Sequence, residues 1–106
     1  YGYERLFARQ VEAVGQAGDV LIAISTSGRS PNILEALRVA RAKGLVTVGM
    51  TGRGGGRMPE LCDHVLHSPS DATPRIQEGH IAMGHTICYL IEQQIFPREG
   101  VPGAAA

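Results

Sequence analysis

Two short, uninterrupted apolar runs, Val20–Ile24 (VLIAI) and residues 45–50 (LVTVGM), stand on either side of a segment with helical apolar spacing. Runs of this length are too short for most helices, and an unbroken apolar strand is expected to be covered on both faces, as in a parallel sheet. Parallel neighbours cannot be joined by a tight turn and need a crossover, which the intervening segment supplies. Ser30 reads as an N-cap with Pro31 at the first helical position. Ile33, Leu34, Ala36, Leu37 and Ala40 follow at helical spacing, and Gly44 is placed to stop the helix. The unit is therefore βαβ, which sets the fold class as a layered α/β structure.

The rest of the chain extends this pattern. Tyr3, Leu6, Phe7, Gln10, Val11 and Val14 predict a first helix, and GQAGD turns the chain into the first strand. TGRGGGRMPEL predicts a glycine-rich loop running into a short helical turn, His64–His67 (HVLH) a third strand, and residues 76–96 a long helix. The apolar band of that helix is wide, which predicts burial on more than one side, by its own sheet or by another subunit.

At 106 residues with 43% hydrophobic content the chain suits one domain. Lys plus Arg and Asp plus Glu both number 10, so no basic footprint marks a nucleic acid or anionic membrane partner. Cys62 and Cys88 lack the density of a disulfide scaffold and read as small core residues in a reducing cytoplasm. The start at Tyr1, inside a helical pattern and without Met, leads us to expect upstream residues, and PREGVPGAAA reads as a loose tail. The expected division is a domain over 1–96 and a tail over 97–106.

Three segments are candidates for chemistry. ISTSGRSP, between the first strand and the second helix, offers the hydroxyls of Ser25, Thr26, Ser27 and Ser30, a glycine, and the unpaired N–H groups of a helix start. It fits a phosphate monoester cradle, and it equally fits a polar turn with a serine cap. The glycines of TGRGGG have neither dinucleotide nor P-loop spacing and read as a permissive strand-to-helix turn. In RIQEGHIAMGH, residues 77, 81 and 85 share a helical face, placing Gln77 and His85 about 12 Å apart along the axis. A metal shared by the two competes with the plainer reading of a buried, hydrogen-bonded histidine. His80 falls on a different face. Both strand-end loops should share one rim of the sheet, where ligands of α/β folds sit.

GDVLIAISTSGRSPNILEALRVARAKG, the TG of the glycine loop and RIQEGHIAMGHTICYLIE together resemble the sugar isomerase (SIS) family, in particular its phosphoheptose isomerase branch. The resemblance runs from about Tyr3 to Phe96. It implies a three-layer αβα, flavodoxin-like doubly wound SIS domain, of which this chain is a C-terminal part. It also implies that Ser25, Thr26, Ser27 and Ser30 hold a sugar phosphate and that Gln77 touches substrate. Gln77 and His85 would further serve as zinc ligands, with His85 an acid/base in interconverting sedoheptulose 7-phosphate and D-glycero-D-manno-heptose 7-phosphate. A cytoplasmic homotetramer working in lipopolysaccharide or other surface-glycan synthesis goes with it.

The departures are specific. Family members carry, upstream, a catalytic Glu, a zinc-binding His, an Asn-Gly-Gly substrate loop and an Asn-Asp pair, none of which occurs here. Some also have an acidic residue where this chain has Pro74. The expectation is therefore a parent isomerase whose 106-residue portion is inactive alone, the other zinc ligands lying upstream. Two alternatives differ in class: a non-catalytic relative that binds the replication initiator, and a phosphosugar-sensing regulatory domain. The first tends to lose the histidine found here at position 85 and to interrupt the serine loop. The second is disfavoured by neutral charge and the lack of a helix-turn-helix pattern.

Overall fold

The βαβ unit forms as its residues require. In the computed structural model, which describes residues 2–97, β1 is Val20–Ile24, α2 is Pro31–Ala42 and β2 is Val46–Thr51. Gly44, at φ +84°, makes the left-handed turn that ends α2 and admits the next strand. Ahead of this unit a 3₁₀ turn, Tyr3–Arg5, leads into α1, Leu6–Val14. After it come a second 3₁₀ turn, Met58–Glu60, then β3, His64–His67, and α3, Thr73–Ile95. The sheet is wholly parallel with order β1-β2-β3, Val20 lying opposite Val46 and Val48 opposite His64. This is the expected α/β class. Of the expected tail, all but Pro97 lies outside the described residues.

The core sits between α2 and one face of the sheet. Leu34 and Leu37 of α2 pack with Ala23 of β1 and Met58 of the second 3₁₀ turn, and Leu21 and Cys62 complete the cluster. A second cluster joins α1 to α2 through Val11, Ala36, Ala40 and Leu45. Arg5 binds this side together, pairing with Glu12 at 2.6 Å and Glu35 at 2.9 Å. α3 meets the sheet through the carboxyl end of β2, where Ile76 lies against Gly52.

Two expectations need correction and a third is narrowed. β1 is not covered on both faces: α2 takes the side carrying Leu21 and Ala23, while Val20, Ile22 and Ile24 remain exposed. The reason is that β1 is an edge strand among the described residues and α3 reaches β2 instead. The long helix is not covered by its own sheet beyond its first turns, which leaves another subunit as the other cover that was expected. Only Ile76 and His80 of α3 are buried, because its first turns alone meet the sheet, and Ile81, Leu90, Ile91 and Ile95 face outward. Cys88 follows the same geometry and is exposed, while Cys62 is half-buried, its thiol pushed up by that burial.

The start of β3 is fixed by a polar knot. The Thr47 N–H donates to the Asp63 carboxylate at 2.9 Å, and the Asp63 N–H donates back to Thr47 Oγ1 at 3.0 Å. The bond from the Thr47 N–H, foremost, holds the Asp63 carboxyl below the usual carboxylate range, with Arg41 adding to it. A folded-state value below the unfolded one stabilises the protein above the ordinary carboxylate titration, and this contribution drains away as pH falls through the folded value. Asp63→Asn is expected to lower stability at neutral pH and to flatten its fall below about pH 4. Urea unfolding midpoints measured across pH 2–7 for both proteins check this; parallel profiles would contradict it.

Candidate functional site

The three strand ends open on one rim. The loop after β1 carries the serines, the loop after β2 the glycines, and the loop after β3 leads into α3. Their meeting encloses a cavity of about 240 Å³ lined by Thr26, Ser27, Arg29, Gly52–Gly56 backbone, Ser70, Asp71 and Ile76. A larger hollow of about 620 Å³ follows the β1 edge. It is walled by apolar side chains such as Phe7, Val14 and Ile22 and gathers few polar groups, so it is not the place for an anion.

Glycine is required where the first two loops touch. Gly28 has φ +68°, and a Cβ there would stand 2.1 Å from the Gly55 carbonyl oxygen. Gly56 has φ +55°, and a Cβ there would stand 2.5 Å from the Gly28 carbonyl. The backbones pass so closely that only hydrogen fits, and the Arg57 N–H seals the contact by donating to Gly28 O at 2.8 Å. The glycine-rich loop is therefore a packing partner of the serine loop, more than a permissive turn.

The four hydroxyl residues divide into two roles. Ser25 is buried; its Oγ accepts the Gly28 N–H at 3.1 Å and shares a 2.8 Å hydrogen bond with Ser30 Oγ. Ser30 stands at the N-cap of α2, yet its hydroxyl turns to Ser25 and leaves the helix uncapped by any side chain. Ser25 and Ser30 thus shape the loop. Thr26 and Ser27 line the cavity, with Ser27 Oγ accepting the Arg29 N–H at 3.1 Å. Among the described residues, the backbone N–H groups of Thr26, Ser27 and Ser30 have no acceptor. Unsatisfied donors of this kind beside a helix N-terminus match what an anion needs.

Gln77 and His85 behave differently. Both are exposed on α3, and neither lines the cavity that holds Thr26 and Ser27. They share a helical face with Ile81 between them. Among the described residues no group of three or more His, Cys, Asp or Glu is placed to hold a metal. Gln77 and His85 alone are two donors short of a tetrahedral zinc site, so the residues present do not make one by themselves.

The sequence reading passed over the joint that aims α3. The Thr51 carbonyl accepts both the Ser68 N–H at 2.8 Å and His80 Nε2 at 3.0 Å, which assigns the ring proton to Nε2. Ser68 Oγ donates to Ile76 O at 3.0 Å, and Gly79 lets α3 press onto it, a Cβ there falling 2.3 Å from Ser68 Oγ. His67 Nδ1 pairs with Gly52 O at 3.0 Å. The available signal was Gly79 beside His80 inside a helical pattern, a place where a missing side chain implies close approach.

Residues 1–52 match the SIS domain family. A phosphoheptose isomerase of Burkholderia pseudomallei is 60% identical over 99 residues, covering 93% of this chain and 50% of that protein. Solved phosphoheptose isomerase structures agree with the fold: that from Neisseria gonorrhoeae superposes with TM-score 0.81 at 43% identity over 83% of this chain and half of the other. The one from Francisella tularensis gives 0.85 at 38% over 88% and half, respectively. The chain thus resembles the SIS domain family, by sequence in residues 1–52 and by fold in its match to these structures. It spans about half the length of the curated relatives it matches. Their names favour the isomerase over the initiator-binding and sensor alternatives.

If the glycine contact organises this SIS rim, filling it must disturb the whole rim. Gly28→Ala is expected to cost on the order of 2–4 kcal/mol, combining a left-handed backbone with a clash against Gly55. Urea denaturation of the two proteins measures the difference, and a loss under about 0.5 kcal/mol would show that the loops separate freely.

Proposed function

We propose that this chain provides the phosphate-holding rim and part of the catalytic helix of a phosphoheptose isomerase, acting on sedoheptulose 7-phosphate and its aldose partner. The observation that carries the reading is the pair of N–H groups at Thr26 and Ser27, without an acceptor among the described residues, on two residues that line the cavity, with the similarly unpartnered Ser30 N–H at the adjoining start of α2. Together with 60% identity to a protein of that name, it favours a phosphorylated sugar as ligand. Each N–H donated to a charged oxygen contributes roughly 1.5–3 kcal/mol, so a few suffice for a weakly held metabolite. Supply of heptose for surface glycans, and work in the cytoplasm, go with this proposal. No described helix is long and apolar enough to cross a membrane.

The aldose–ketose change moves a proton between C1 and C2 through an enediol, which requires a base, an acid and support for the developing oxyanion. In our reading His85 moves the proton and Gln77 holds a sugar hydroxyl, while Ser25 and Ser30 keep the phosphate loop in shape. A zinc ion, when bound, would polarise the oxygen as a Lewis acid. Gln77 and His85 are the two side chains of this chain proposed for it, with further ligands needed from elsewhere. Since His85 is the sole acid/base we assign here, the 106-residue chain by itself is expected to bind sedoheptulose 7-phosphate without measurable turnover. Amide NMR shifts at Thr26, Ser27 and Gly28 report binding, and a coupled assay for the aldose reports turnover. No shift at millimolar ligand would sink the phosphate reading; clear turnover by the chain alone would contradict its expected inactivity.

Self-association, as a homotetramer, belongs to the same proposal. It is supported by the exposed apolar side chains of α3, with Ile81 at 61%, Leu90 at 49% and Ile95 at 62% exposure. An apolar stripe of this extent on a helix marks a contact surface. Light scattering after size exclusion is expected to give a mass above one chain, and Leu90→Asp to shift it towards the monomer. A wild-type monomer at 100 µM, roughly the upper range for a specific weak interface, would contradict this.

A further inference from the structure

The described cations are almost all spoken for. Arg5, Arg38, Arg41, Arg53, Arg57 and Arg75 each face a carboxylate, Lys43 donates to the Glu12 carbonyl at 2.7 Å, and Arg9 is engaged as well. Arg29 is the exception: among the described Lys and Arg residues it is the one whose side chain has no acceptor. Its position is not arbitrary, because it lines the same cavity as Thr26 and Ser27. Arg53, the other arginine at that cavity, is held back by Pro69 O at 2.9 Å and faces Asp71 at 3.7 Å.

A guanidinium left without a partner in a protein of zero net formal charge has its full hydrogen-bonding capacity available for a ligand. Its planar fork suits two oxygens of one phosphate, whereas the neighbouring hydroxyls and N–H groups are neutral donors that supply no charge. The Arg29 N–H is tied to Ser27 Oγ at 3.1 Å, which fixes where the side chain leaves the backbone relative to the cavity. We propose that Arg29 is a specificity-determining residue of the site, its guanidinium closing over the phosphate monoester of the sugar and selecting the dianion. The inference rests on the phosphate reading above and adds to it the charge that the serine loop lacks.

Titrations of inorganic phosphate and of sedoheptulose 7-phosphate into the full 106-residue chain, by NMR at 20 and 200 mM NaCl, test it. Arg29→Gln is expected to weaken both ligands roughly ten- to a hundredfold and to flatten the salt dependence, as loss of a charge-assisted contact does. Arg29→Lys should recover only part, lacking the fork. Arg38→Gln, which removes the same charge from the outer face of α2, should bind as wild type does. Arg29→Gln binding like wild type, or Arg38→Gln weakening binding equally, would overturn the inference while leaving the serine loop as the phosphate site. Failure of the wild type to bind either ligand would instead overturn the phosphate reading and this inference with it. Arg29→Lys keeps the charge and the long side chain, so it serves the comparison should Arg29→Gln fold poorly.

Discussion

The Thr51 carbonyl at the end of β2 is the point on which the rim turns. It accepts from the Ser68 N–H and from His80 Nε2 together, so one oxygen ties the middle strand to the loop after β3 and to α3. One residue further, Gly52 gives its carbonyl to His67 and its bare α-carbon to the Ile76 side chain. Directly above, the Thr51 hydroxyl lies under Gly28, within 2.9 Å of where a Cβ would be. Sheet, serine loop, glycine loop and α3 therefore all take their positions from two consecutive residues. A carbonyl with two donors is saturated, so neither partner can drift without leaving a buried polar group unpaired.

The same economy governs the serine loop. Ser25 and Ser30 bond to each other, and Ser25 also accepts the Gly28 N–H, which occupies both hydroxyls but leaves the backbone N–H groups of Thr26, Ser27 and Ser30 without an acceptor among the described residues. A loop whose side chains are occupied internally is already rigid when a ligand arrives. Its donors need no reorganisation, which is where a preorganised site gains over water.

Much of this was legible in the sequence, and the exceptions share a cause. VLIAI, LVTVGM and HVLH became parallel strands, and Ser30-Pro31 and Gly44 marked the ends of α2, because these signals are local in backbone preference. ISTSGRSP was recognisable as a candidate cradle, but the sequence could not tell that Ser25 and Ser30 would turn inward while Thr26 and Ser27 faced the cavity. That division depends on a left-handed Gly28 pressed against Gly55, a contact between loops far apart in the chain. The open face of β1, and the failure of the chain's own sheet to cover α3, have a related reason. An apolar strand or helix announces that something must cover it, and composition cannot say that the cover is absent from the chain's own fold. The exposure of Cys88 follows from the same limit, since it lies on the part of α3 that the sheet does not reach.

The open face of α3 and the chemistry proposed for it are one problem. Gln77, Ile81 and His85 lie in a row at intervals of one helical turn, a polar group on each side of an apolar one that is 61% exposed. Leaving Ile81 in water forgoes the gain of burying it, so an apolar surface laid on this face would be favoured. Any surface close enough to exclude water from Ile81 must also stand within side-chain reach of Gln77 and His85, whose Cβ atoms are about 6 Å to either side. Burial would then bring new neighbours to the two residues that the cavity does not reach. It would also lower the dielectric around His85, where the proton transfer proposed for it would be most strongly influenced by its surroundings. On the proposed reading, an assembly that covers the hydrophobic stripe would by the same geometry bring new groups to Gln77 and His85, while Thr26 and Ser27 already line their cavity within the chain.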